Sequence, residues 1–213
     1  MPTAQASAKW KDASSVWLDH ATLRETDAAW LEPVSWLTLW AVKVPPALLA
    51  SLPNLGYLDI RGGSGTDLRA VDGCTELRYL QVNQVRGLTD LAVLPQLASL
   101  RLLSLYGLPK VAAIPSLANL RHLERLELGS MKGLAGLTGA HDAPALRELL
   151  LIRSLGVAAD DADRLAGNDT LQQFDWFSED VPVRVWQPFV AAVDKAPAKA
   201  MHADEWLRQR GHL

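Results

Sequence analysis

Hydrophobic residues recur along most of this chain in triplets whose members are three and then two residues apart: Leu55, Leu58, Ile60; Leu77, Leu80, Val82; Leu100, Leu103, Leu105; Leu123, Leu126, Leu128; Leu146, Leu149, Leu151. Steps between first members are 22, 23, 23 and 23 residues. Looser copies flank this run, with Val34, Leu37, Leu39 lying 21 residues earlier and Leu171, Phe174, Trp176 lying 25 residues later. Ala13, Val16 and Leu18 make an eighth unit or a cap, since alanine is a poor substitute for the first leucine. A fixed period of this length overrides local propensity. Each Leu-x-Leu predicts a short strand whose alternate side chains enter a core that no unit closes alone, so the units must stack.

Return segments between the strands read as short helices or irregular turns. Pro45-Pro46 precedes a helix-forming run, and Pro115-Ser-Leu-Ala-Asn-Leu is a shorter version. His20 to Glu32 reads as the first helical return, and Asp160, Asp161 and Asp163 as the acidic first turn of another helix. Past Ser178 the period fails. Val181, Val183 and Val185 alternate like an edge strand. Two helical stretches follow, Trp186 to Lys195 and Ala198 to Arg210, with Phe189, Val190, Val193, Met201, Trp206 and Leu207 as their apolar faces.

The repeat resembles the leucine-rich-repeat family, of the small free-standing cytoplasmic bacterial type. That resemblance implies an α/β solenoid: a curved parallel sheet on the concave face, short helices or turns on the convex face, and a helical C-terminal cap. Residues 13–178 form the solenoid of seven to eight units in this reading, 1–12 an N-terminal tail and 179–213 the cap. The family's usual asparagine or cysteine at the ninth repeat position is missing. Gly63, Val85, Leu108, Met131 and Ser154 stand there, with Leu88, Val111 and Leu134 three residues on. Apolar packing is therefore expected to hold this turn in place of amide hydrogen bonds.

Because strand side chains alternate, positions 3, 5 and 7 of each unit face away from the core. This column set holds all three tyrosines, Tyr57, Tyr79 and Tyr106, together with Trp17, Trp36 and Trp40. It also holds Asp19, Asp59, Glu127, Glu148 and Asp175 against Arg61 and Arg125, with Gln81 among them. Exposed aromatics of this kind serve as interface anchors, because they bury large area with few rotatable bonds. The expected partner-binding residues are Trp17, Trp36, Trp40, Tyr57, Asp59, Arg61, Tyr79, Gln81, Tyr106, Glu127 and Glu148. At about 4.8 Å per strand, eight units give an inner arc on the order of 34 Å, wide enough for a small domain.

Composition narrows the partner. The 213 residues carry a formal charge of -3, with 21 Lys+Arg against 24 Asp+Glu, so nucleic acid is not an expected partner. No signal-like start and no long apolar run points to a membrane, and the lone Cys74 excludes an intrachain disulfide, in keeping with a reducing cytoplasm. Nothing in the spacing assigns an oligomeric state.

Candidate chemistry is sparse. Gly62-Gly63-Ser64-Gly65 lacks the lysine of a phosphate loop and falls at a repeat turn. The five histidines, His20, His122, His141, His202 and His212, show no metal-binding spacing. His141-Asp142 offers two members of a triad with no nucleophile placed beside them. The aspartates at 160, 161 and 163 lack the glycine and glutamate of a calcium loop. The expectation is a protein-binding module with no enzymatic activity, metal or cofactor. Its sharpest form is an immunity-type inhibitor of a cognate toxin or enzyme with a basic patch, and the alternative is a regulatory or scaffolding subunit of a housekeeping complex.

Overall fold

In the computed structural model, which describes residues 3–213, the last two members of every triplet land in a strand and the first lies just before it. The strands are β1 (Lys9–Trp10), β2 (Ser15–Asp19), β3 (Trp36–Trp40), β4 (Tyr57–Arg61), β5 (Tyr79–Asn83), β6 (Leu102–Tyr106), β7 (Arg125–Met131), β8 (Glu148–Leu155) and β9 (Gln173–Phe177). They form one sheet in chain order, parallel from β2 to β9. Pairing aligns equal repeat positions, as in Leu37↔Leu58 and Leu80↔Leu103, because any slip by one residue would turn the leucines out of the core. The leucines at positions 1, 4 and 6 of the five central units are buried, and only Ile60 is partly open.

In the three units with an apolar ninth position the turn after the strand is packed as that position foretells. Val85, Leu108 and Met131 are buried, as are Leu88, Val111 and Leu134 beneath them. One residue earlier, at position 8, the backbone is left-handed in seven successive units: His20, Ala41, Gly62, Gln84, Gly107, Ser130 and Arg153. Five of these are not glycine, which is uncommon and costs about 1–2 kcal/mol per residue. What holds the bend is the ladder itself, since the position-8 N–H donates to the position-7 carbonyl of the next unit, as in His20 to Trp40 (2.8 Å) and Gln84 to Tyr106 (2.8 Å).

Convex returns are single turns at Glu25–Asp27, Leu49–Ser51, Arg69–Val71 and Leu94–Gln96, and short helices α2 (Ala28–Leu31), α3 (Thr138–His141) and α4 (Asp161–Ala166), after an N-terminal turn α1 (Ala4–Ser7). Both ends depart from the sequence reading. The segment expected as a tail is ordered over its described residues: α1 sits on the first unit and β1 pairs antiparallel with β2, Lys9 opposite Trp17 and Trp10 opposite Val16. Ala13 is exposed, and it is Ala4 of α1, with Ala8 packed beside it, that joins the first unit's core. Met1 and Pro2 lie outside the described residues.

At the other end the valines form no strand. Helix α5 (Val183–Val193) begins at Val183, because Pro182 fixes the preceding φ and the apolar spacing of Trp186, Phe189, Val190 and Val193 is helical. Val183 and Val185 are left exposed. Phe189 packs on Phe174 (5.9 Å between rings) and on Trp176 (5.3 Å), closing the last unit. Ala196 then bridges to Gln173, covering part of the free edge of β9. Helix α6 (Ala203–Gln209) is not part of this end cap. It lies back across the concave sheet.

Candidate protein-binding face

The register places every candidate where the alternation puts it. Position 3 runs Ser15, Trp36, Tyr57, Tyr79, Leu102, Arg125, Glu148, Gln173. Position 5 runs Trp17, Thr38, Asp59, Gln81, Ser104, Glu127, Leu150, Asp175. Position 7 runs Asp19, Trp40, Arg61, Asn83, Tyr106, Gly129, Ile152, Phe177.

Exposure does not follow the expectation. Tyr57, Tyr79, Asp59 and Glu148 are buried, and the chain's own α6 covers the position-3 members of this set, Tyr57, Tyr79 and Glu148. Trp206 and Leu207 pack on Tyr57, Tyr79 and Leu102, with Trp36, Met201 and Ala203 around them. Trp36 stacks on Tyr57 (5.1 Å, 13°) and leans on Tyr79 (5.3 Å).

The acids expected to steer a partner are largely engaged within the molecule. Arg125, 1% exposed, donates to Glu127 (2.7 Å), Glu148 (2.8 Å) and the Lys199 carbonyl (2.9 Å). Glu148 also accepts from the Trp206 indole (2.9 Å) and from Arg210. Glu124 holds Arg101 (3.2 Å), Arg210 (3.5 Å) and His212 (3.3 Å), and the Tyr57 hydroxyl donates to the His212 carbonyl.

The N-terminal quarter of the face and the position-7 row stay open. Trp17 stacks on Trp40 (6.0 Å, 18°), and the Arg61 guanidinium lies over Trp17 (5.4 Å). Trp40, Arg61, Asn83, Tyr106, Ile152 and Phe177 all retain exposure. Between the β1–β2 hairpin and α6 lies a groove of about 420 Å³, lined by Trp17, Trp36, Thr38, Asp59, Arg61 and Gln81 from the sheet and by His202, Asp204 and Arg208 from the C-terminal segment. Thr38 is the small residue between Trp17 and Asp59 in the position-5 row, which is what leaves the hollow.

Two groups lining this groove are incompletely satisfied. Asp59 Oδ2 accepts from Arg61 Nε (2.8 Å), but Oδ1, like the Trp17 indole N–H, is buried without a partner. Burial pushes the Asp59 carboxyl up, against the downward pull of the Arg61 hydrogen bond and charge. The bond to Asp59 raises Arg61 in turn, and burial, then the Asp59 charge, holds the Tyr79 phenol well above its ordinary value.

A raised carboxyl has a definite sign in stability. The folded state binds this proton at a pH where the unfolded chain does not, so the Asp59 contribution improves as pH falls from neutral through the raised folded value and is lost as pH rises through it. Asp59→Asn is expected to match or exceed the parent's stability at pH 7, and to flatten this part of the pH profile. Urea denaturation at pH 5 and 7 measures both, and a less stable variant at pH 7 contradicts the assignment.

Elsewhere the candidate chemistry resolves into structure. His141 Nε2 meets Asp161 (2.8 Å) rather than Asp142, and Asp161, fully buried, accepts from the N–H groups of Leu137 (3.0 Å) and Ala158 (2.6 Å). That carboxylate stitches the returns of two neighbouring units together. The Cys74 thiol is buried and pushed up to about 11, which keeps it unreactive. Among the described residues no group of three or more His, Cys, Asp or Glu is placed to hold a metal ion, and no helix is long and apolar enough to cross a membrane.

No protein-family model and no curated protein matches the chain. Among solved structures it is similar to internalin C2 of Listeria monocytogenes, with 18% identity, 89% of this chain and 80% of that one covered, and a TM-score of 0.62. A second internalin of that organism, InlF, covers 85% of this chain and 72% of its own at 16% identity, with a TM-score of 0.30. With the first of these likenesses beside the repeat spacing, the in-register sheet and the packed ninth position, the fold is a leucine-rich-repeat solenoid.

Proposed function

We propose that this chain is a protein-binding module that holds a protein partner against the open part of its concave sheet. The observation that carries the reading is the groove beside the Trp17–Trp40 stack, where a buried carboxylate keeps one oxygen unpaired at a cost the fold does not require. Sites that sacrifice stability in this way are characteristic of function. Trp17, Trp36, Trp40, Arg61, Gln81, Tyr106 and Glu127 keep exposure with α6 in place and are the contacts available to a partner. Asp59 lines the groove floor but is buried, as are Tyr57, Tyr79 and Glu148. The net charge of -3 favours a basic partner. An immunity-type inhibitor of a toxin or enzyme, acting in the cytoplasm, is the specific form this supports.

A tagged pull-down tests the proposal with three baits: the parent, Trp17→Ala combined with Trp40→Ala, and Val183→Ser combined with Val185→Ser on the far end. A protein retained by the first and third and lost from the second supports the groove. Equal recovery by all three overturns it. Release of a toxic activity on deletion of the chain marks an inhibitor; loss of the partner's own activity marks a regulatory subunit.

A further inference from the structure

Residues 199–213 behave as an occupant of the concave face and not as a layer of the solenoid. Trp206 and Leu207 are buried, but the residues they join, Tyr57, Tyr79 and Leu102, form a cluster separate from the continuous core that runs from Ala4 to Val193. The end that a cap must close is already closed by Phe189 and Val193, and the β9 edge is met by Ala196. The contacts of the segment are those of a recognised ligand. Glu148 takes the Trp206 indole N–H and the Arg210 guanidinium, two groups four residues apart, the first on α6 and the second on the residue that ends it, whose N–H still donates to the Trp206 carbonyl (3.2 Å). Arg210 also lies over the Trp206 ring (5.4 Å). The seat contributes three carboxylates, Glu124, Glu127 and Glu148, against its own cations Arg101 and Arg125, which leaves one negative charge for Arg210 to meet.

We infer that this seat is a receptor for an amphipathic helix of a partner protein that carries a tryptophan and, four residues on, an arginine, and that residues 199–213 fill it in cis until such a helix displaces them. The inference rests on the protein-binding reading and specifies the chemistry of the partner. A tethered segment competes at an effective concentration in the millimolar range, so the partner helix must win by additional contacts. The open groove offers them. Its far wall is His202, Asp204 and Arg208 of the segment itself, so displacement merges the seat with the Trp17–Trp40 groove into one longer trough.

The test uses the full chain carrying Trp206→Ala and Arg210→Ala, with a fluorescein-labelled peptide of residues 198–213 as the probe. The emptied protein is expected to bind the peptide at least tenfold tighter than the parent, whose seat is occupied, and addition of Glu148→Ala is expected to weaken that binding at least tenfold. A folded variant that does not bind the peptide, or parent and variant binding it equally, overturns the inference. Hydrogen exchange on the unaltered parent decides independently of how the variant folds. The α6 amides are expected to exchange at least a hundredfold faster than those of β4 to β8, and protection equal to the strands marks the segment as part of the fold. Neither adverse result touches the Trp17–Trp40 pull-down, so the two readings fail separately.

Discussion

Arg125→Ala is expected to destabilise the protein by about 3–5 kcal/mol, the range for removing one partner of a buried ion pair. Arg125 is 1% exposed, and its guanidinium is shared among Glu127, Glu148 and the Lys199 carbonyl. Truncation leaves Glu148 to Arg210 and Trp206 alone, and leaves the carbonyl without a donor. For a chain of this length each kcal/mol moves the melting temperature by about 2–4 °C, so a fall on the order of 10 °C is expected in calorimetry. Arg125→Lys keeps the charge but not the fork that reaches three acceptors, and should fall between parent and alanine. Combining Arg125→Met with Glu148→Gln should cost less than the sum of the single changes, since the pair is then removed together. A loss below 1 kcal/mol for Arg125→Ala contradicts the burial on which the argument stands.

That same residue marks the boundary of what the repeat spacing reveals. The repeat spacing alone places Arg125 at position 3 beside Glu148 in the neighbouring unit, and the sheet confirms the register. Periodicity is legible because burying one side of each strand leaves a single workable phase. The identity of whatever covers the other side is not written in the strands. Alternation states that Tyr57, Tyr79 and Leu102 leave the core, and it is silent on whether water or protein meets them. The signal lay in the C-terminal segment. Two apolar helical faces follow the last repeat, one around Phe189 and Val193 and one around Trp206 and Leu207, for a solenoid end that needs a single cover. Outward-facing Leu102 and Leu150, both buried, are the matching surplus on the sheet. At the N-terminus the short β1 has no sequence signature, because two residues are too few to show a period and only their pairing with β2 defines them.

Asp161→Ala is expected to cost about 3 kcal/mol and to loosen one stretch of the solenoid rather than all of it. A leucine-rich repeat must satisfy the backbone of its return segments, and this chain lacks the asparagine column that the family uses. Apolar packing replaces that column in the central units, where Val85, Leu108 and Met131 are buried. Packing cannot supply acceptors, however, and the Leu137 and Ala158 N–H groups point at Asp161. Removing its carboxylate leaves both donors unpaired at about 1–3 kcal/mol each, and it frees His141 from its single hydrogen-bond partner. Because each unit of a solenoid contacts only its neighbours, the added hydrogen exchange should concentrate in α3, α4 and the turns joining them, with β2 to β5 unchanged. Asp161→Asn retains one acceptor oxygen but turns amide hydrogens toward one of the donors, so it should recover only part of the loss. A change within 0.5 kcal/mol for alanine, measured by urea denaturation, contradicts the role given to this residue. The expected loss instead places one polar brace of the solenoid in a buried carboxylate on the convex side, where Asp161 joins the returns of two neighbouring units.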